Sequence, residues 1–270
     1  MEKTVQLGEA TIAYEEQGQG DPPFVLVHGF TGANLDFDDH LEALAESHRV
    51  LAPDNRGHGN STNFARRDAY SLDLLAADTI AFLEAVAGPH PVDLLGHSMG
   101  GMIALRVVLA RPDLVRSLIL MDTAAESLGG DGTLPAGVED LVGAVGLLEM
   151  QRKVPPMPEA LAFREQRGAE WVAANEEARL LRMDPEAFLG LMPEVFGGPS
   201  LLDRLGEIRC PTLVIVGAHD APFLAASRRL ADGIAGARLV EIEGAWHSPQ
   251  RTHPEQWRSC VLEHLAAAGQ

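Results

Sequence analysis

The sequence predicts an α/β protein: a doubly wound, mostly parallel, eight-stranded sheet interrupted by an inserted helical cap. Three observations carry this prediction. The run Phe24-Val25-Leu26-Val27 is continuously apolar, as in a strand buried on both faces of a parallel sheet. From residue 24 onward, short strand-like runs alternate with segments of helical periodicity, which implies βαβ units. That alternation stops between about 125 and 199 and resumes at 212. The expected division is therefore a sheet-containing core of residues 1–124 and 200–270, with residues 125–199 as a cap.

Residues 4–8 and 10–16 alternate around a Gly-Glu turn, the pattern of an antiparallel hairpin. A loop at 18–23 leads to the strand 24–27, which ends in His28-Gly29-Phe30-Thr31-Gly32. Residues 35–46 read as helix, 49–53 as the next strand, and 54–61 as a glycine-rich loop. Residues 72–87 carry apolar positions at helical spacing and stop at Gly88-Pro89. A strand at 92–95, a helix ending near Arg111-Pro112 and a strand at 115–121 follow. The cap segment holds helical stretches near 136–151, 158–167, 169–182 and 185–196. The core then closes with a strand at 212–216, a helix at 221–232, a strand at 238–242 and a last helix at 254–267.

At 270 residues the chain is long enough for one large core or two modest ones, and 46% hydrophobic with 22% charged residues is ordinary for a globular protein. The net charge of −18 argues against nucleic-acid and anionic-membrane partners, and any anionic substrate would need local basic groups. The N-terminal residues lack the apolar core of a signal peptide and no run of 18 apolar residues occurs, so a cytoplasmic location is expected. Cys210 and Cys260 are the only cysteines; they are expected unpaired and buried, and neither has metal-ligand spacing with histidine. No cofactor and no metal is expected; the expected partner is a small-molecule substrate.

The most informative stretch is Gly96-His97-Ser98-Met99-Gly100-Gly101, preceded by a strand and followed by an apolar helical run from 102 to 110. This is the G-x-S-x-G nucleophile elbow, in which a strained strand-to-helix turn lifts a serine hydroxyl above a sheet edge. Gly96 and Gly100 lack a β-carbon, which permits close packing around Ser98. A serine hydroxyl is a weak nucleophile at neutral pH and needs an adjacent base. Over nearly its whole length the chain resembles α/β-hydrolase-fold enzymes with a helical cap, whose motifs follow the order nucleophile, acid, histidine.

The resemblance implies a set of roles. Ser98 is the nucleophile. His247, in Gly244-Ala245-Trp246-His247 after the strand 238–242, is the base. Among ten histidines, His40, His48, His90 and His264 fall on helices or their flanks, and His253 is the nearest rival. Asp220, just past the strand 212–216, is the acid that holds the imidazole; Asp122, past the strand 115–121, is the alternative. The backbone N–H groups of Phe30 and Met99 form the oxyanion hole. His28, His58 and His97 read as structural, and Arg56 as internally paired. Of the cap's basic residues, Arg179 lies three positions after Glu176 and can pair with it on a solvated face; the contrasting role is to grip a substrate carboxylate.

The residues also narrow the chemistry. Ser98 stands where haloalkane dehalogenases and epoxide hydrolases place an aspartate. Carbon–carbon hydrolases keep the serine triad but typically place Trp after the histidine, whereas Trp246 precedes it. The menaquinone-pathway synthase of this fold shares the string at 28–32 but has an arginine after the elbow glycines, where this chain has Met102. Enol-lactone hydrolases share Arg56-Gly57-His58-Gly59 and Ser98-Met99-Gly100-Gly101. The resemblance thus implies a serine hydrolase cleaving a carboxylic ester or lactone through an acyl-enzyme. The alternatives are C–C hydrolysis, a synthase of the menaquinone type, perhydrolysis with the same triad, and a triad-retaining small-ligand receptor.

Overall fold

A computed structural model describes residues 2–156 and 158–269. Its sheet comprises β1 (Glu2–Leu7), β2 (Ala10–Gln17), β3 (Phe24–Val27), β4 (Val50–Pro53), β5 (Val92–His97), β6 (Val115–Met121), β7 (Thr212–Gly217) and β8 (Arg238–Ile242). The spatial order is β1-β2-β4-β3-β5-β6-β7-β8. Only β2 runs against the rest: it pairs antiparallel with β1 and β4, and the remaining pairings are parallel. The eight-stranded, doubly wound, mostly parallel sheet is as the sequence implies.

Successive side chains along the central strands enter different cores, because a strand presents alternate residues to opposite faces. Val25, Leu94, Leu118 and Val214 pack with α2 (Leu72–Phe82), α3 (Met99–Ala110) and α8 (Ala221–Gly233) through Leu75, Ile103 and Leu230. Their neighbours Phe24, Leu26, Leu95, Ile119 and Leu213 form the other core with α1 (Asp38–Ala45) and α10 (Pro254–Ala268) through Leu44, Trp257 and Val261. Burial on both faces explains why these strands read as apolar runs.

Between β6 and β7 lie α4 (Val138–Lys153), α5 (Pro158–Arg167), α6 (Ala169–Leu180) and α7 (Pro185–Gly197), and no strand among the described residues. The segment is tied to the core by polar contacts. Asp184 caps α7 through the Glu186 amide at 2.9 Å, and it also accepts from the Tyr70 hydroxyl at 2.5 Å and the Ala65 amide at 2.7 Å. The Glu194 carboxylate accepts from the Leu72 amide at the start of α2 at 2.7 Å. The ring of Phe188 stacks on Phe30 at 5.1 Å.

Three local differences from the sequence reading have physical causes. The stretch expected as one helix near 136–151 breaks at Gly146, whose φ of 75° and ψ of 168° lie outside helix, a cheap interruption at glycine. The helix expected over 72–87 is α-helical only to Phe82; its last turn, Leu83–Ala87, widens before Gly88. A one-turn helix α9 (Pro249–Thr252), too short to show periodicity, precedes α10. Cys210 and Cys260 are unpaired but only partly buried, not core residues as expected. Among the described residues, no helix is long and apolar enough to cross a membrane.

Candidate active site

The sheet order places β4 on one side of β3 and β5 on the other, so the connections leaving β3 and β5 diverge at their carboxyl ends. Such a switch point opens a crevice in a parallel sheet. The turn Gly29-Phe30 leaves β3 there, and Ser98 leaves β5 there.

Ser98 sits between β5 and α3 with φ 54° and ψ −118°, a conformation that costs an ordinary residue about 1–3 kcal/mol. Its backbone is fixed on both sides. Its amide donates to the Met121 carbonyl at 2.9 Å, and the Thr123 hydroxyl donates to its carbonyl at 2.7 Å. The flanking glycines are required by contact. A β-carbon at Gly96 would lie 2.2 Å from the Gly100 carbonyl oxygen, and one at Gly100 would lie 2.1 Å from that of Val27. Both obstacles are backbone and cannot rotate away. Gly100→Ala is therefore expected to lower unfolding free energy by about 3 kcal/mol or more, or to prevent folding, as read by urea denaturation.

His247 follows β8, and Asp220 follows β7 at the start of α8. The amide of His219 donates to the Ala245 carbonyl at 2.9 Å and so holds the two loops together. The imidazole packs on Phe223, with ring centres 4.5 Å apart. Its Nδ1 lies 2.7 Å from Asp220 Oδ2 and its Nε2 lies 3.0 Å from Ser98 Oγ. A carboxylate only accepts, so Nδ1 carries the proton and Nε2 is free to accept from the serine hydroxyl. The three residues selected from the sequence thus meet in one hydrogen-bonded chain.

Asp122, the alternative acid, lies directly beside this chain without a hydrogen bond to His247. It has φ 44°, is fully buried, and accepts from the Gly217 amide at 2.9 Å. Burial, followed by the adjacent Asp220 carboxylate, holds Asp122 well above the usual carboxylate range, and it is Asp220, not Asp122, that lies within hydrogen-bond distance of His247. Ligand atoms of Asp122, Asp220 and His247 lie within 4.8 Å of one another, but Nδ1 and Oδ2 are already bonded to each other. His253, the rival base, meets Thr252 instead, at 3.0 Å.

Three other histidines, His28, His58 and His97, brace the crevice. His28 donates through Nδ1 to the Gly29 carbonyl at 2.8 Å and accepts at Nε2 from the Asn55 amide at 2.9 Å. His58 lies 2.6 Å from the Phe30 carbonyl, and Arg56 is held by Asp78 at 2.5 and 2.6 Å. His97 donates from Nε2 to the His247 carbonyl at 2.8 Å. Burial, with His247 acting in the same direction, pushes His97 down to about 3.

An unfolded histidine titrates near about 6.5, so between these values the unfolded chain binds more protons at this position. His97 therefore contributes its full stability above pH about 6.5 and loses it as pH falls toward 3. By pH 4.5 this amounts to about 2–3 kcal/mol. Urea unfolding at pH 7.5 and 4.5 checks the difference, and His97→Gln should shrink it by that share.

The amides of Phe30 and Met99 have no acceptor among the described residues. Phe30 and Ser98 border a cavity of about 730 Å³ that reaches from the serine to the helical segment. Phe163, Trp171 and Phe196 line it, whereas Leu147, Phe188 and Leu191 are spent on packing. Its far wall holds groups that the sequence did not single out. Asp36 and Arg251 pair at 2.6 Å, and Asn175 accepts from Arg251 at 3.0 Å. Such contacts join positions far apart in sequence and carry no local pattern. Arg179 is not paired with Glu176: it turns inward, donating to the Asn175 side chain at 3.0 Å and the Thr31 carbonyl at 2.8 Å.

A serine, an aspartate and a histidine on the loops after β5, β7 and β8, at the carboxyl edge of this sheet, are the arrangement of the α/β-hydrolase class. The chain belongs to that family: the alpha/beta hydrolase fold profile matches residues 22–254. It is 31% identical, over 94% of its length and 95% of the relative's, to a protein that carries the name carbamate hydrolase RutD in Azorhizobium caulinodans. It is also 31% identical, over 94% of this chain and 99% of the relative, to the pimeloyl-[acyl-carrier protein] methyl ester esterase of Aeromonas hydrophila. The enol-lactonase of Burkholderia xenovorans superposes with a TM-score of 0.86 over 98% of this chain and all of that one, at 24% identity, a likeness of fold.

Proposed function

We propose that this chain is a serine hydrolase that cleaves a carboxylic ester or lactone through an acyl-enzyme, with Ser98, His247 and Asp220 as the triad. The observation that carries the reading is the unbroken chain from Asp220 through His247 to Ser98 Oγ, at 2.7 and 3.0 Å. The methyl ester esterase and the enol-lactonase are, by their names, enzymes of that bond type.

In the first step Ser98 Oγ attacks the carbonyl carbon as its proton passes to His247 Nε2. The carbonyl π electrons move to oxygen, and the Phe30 and Met99 amides receive that charge. Asp220 stabilises the imidazolium. Collapse of the tetrahedral intermediate expels the alkoxide, which takes the proton from Nε2. Water then repeats the sequence on the acyl-enzyme: it loses a proton to Nε2, adds to the carbonyl, and the serine leaves with that proton. Residues 125–199 act as the cap, roofing the cavity and selecting substrate, over a core of residues 1–124 and 200–270. A panel of p-nitrophenyl esters and γ-lactones tests the reading: turnover is expected, and none across the panel would sink it.

A further inference from the structure

Arg179 and Asn175 leave donors unused. Arg179 spends Nε on Asn175 Oδ1 and Nη1 on the Thr31 carbonyl, and its Nη2 donates to no group among the described residues. No carboxylate among them lies within 4.0 Å of its guanidinium, whereas the neighbouring Arg251 is neutralised by Asp36 at 2.6 Å. Asn175 Oδ1 receives both guanidinia, each at 3.0 Å, which fixes the amide orientation and leaves its Nδ2 donors without an acceptor among the described residues. Both residues line the cavity that holds Ser98 and His247.

We propose that Arg179 and Asn175 form an anion subsite that binds a second, ionised carboxylate of the substrate, at a distance from the bond being cleaved. The physical case rests on charge. Burial pushes the Arg179 guanidinium down from the usual arginine range, the mark of a cation short of counter-charge. Arginine does not neutralise by losing its proton, so the missing partner has to be an anion. Asp36, Glu176 and Glu159 act on Arg179 only from beyond ion-pair distance, and Asp36 is already paired with Arg251. A carboxylate can accept from the free Nη2 N–H groups of the guanidinium and from the adjacent Asn175 amide N–H. In a chain of net charge −18 nothing at long range favours an anion, so the recognition has to be local. The subsite narrows the proposed substrate from any ester or lactone to a monoanionic one, and it rests on that reading only for the chemistry at Ser98.

The test compares kcat/KM for monomethyl succinate, glutarate and adipate with that for the matching dimethyl esters at pH 7.5. The wild type is expected to prefer the monoanion at one or more lengths by about 30-fold or more, mostly through KM. Arg179→Gln should lower that selectivity ratio at least tenfold, and Arg179→Lys, which keeps the charge but not the planar guanidinium, should retain part of it. A wild-type ratio at or below one at every length, or a ratio unmoved by Arg179→Gln, would overturn the subsite. Calorimetric titration of Ser98→Ala protein with the same esters reads binding without turnover. Tighter binding of a monoanion there, with no hydrolysis by the wild type, would keep the subsite and refute the ester chemistry. Equal binding of both esters alongside wild-type hydrolysis would do the reverse.

Discussion

Replacing Ser98 by Ala should lower kcat for ester hydrolysis by about 10⁶-fold, while substrate still binds. The size follows from the division of labour in the crevice. His247 Nε2, 3.0 Å from Oγ, has no proton to take once the hydroxyl is gone. Water in its place would have to attack without a covalent intermediate. The residual rate would come from the Phe30 and Met99 amides and from substrate positioning, which together are worth about 10³–10⁴-fold over water in such sites. The fold should be unaffected: alanine can adopt the backbone at 98 at the same strain as serine, and the Met121 and Thr123 contacts use only backbone atoms of residue 98. Steady-state kinetics on a p-nitrophenyl ester, with a thermal melt matching the wild type, would check both halves.

Asp220→Asn should cost about 10⁴-fold in kcat with little change in KM. An amide nitrogen facing Nδ1 at 2.7 Å would favour the tautomer with the proton on Nε2, which cannot accept from Ser98. It would also remove the negative charge that steadies the imidazolium in each transition state. The loss should exceed that of Asp122→Asn, because Asp122 meets Gly217 rather than His247. If Asp122→Asn proved the more damaging in kcat with the protein still folded, the acid would have to be reassigned.

How much of this could be read from the sequence differs by kind of residue. The sheet was legible because strands buried on both faces leave apolar runs, and β3 to β7 are of that kind. Ser98 announced itself because its turn demands Gly96 and Gly100 within four residues, a local requirement. His247 and Asp220 follow predicted strands in the order that the family resemblance implies, whereas position alone offers Asp122 as well. The far wall of the cavity was not legible. Asp36 and Arg251 are 215 positions apart and become partners only when the loop after β3 meets α9. Arg179 misled for the same reason. Spacing on a helix offers Glu176 as its partner, but which face of α6 turns inward is decided by tertiary packing, and the Thr31 carbonyl won. Gly146 broke α4 where helical spacing of apolar residues ran straight through.

The central claim is that Ser98 is the covalent nucleophile, and active-site labelling tests it most directly. A fluorophosphonate should add one equivalent to the wild-type protein, abolish ester hydrolysis in proportion, and map to the peptide carrying Ser98. Labelling of another residue, or full hydrolytic activity in stoichiometrically labelled protein, would contradict it.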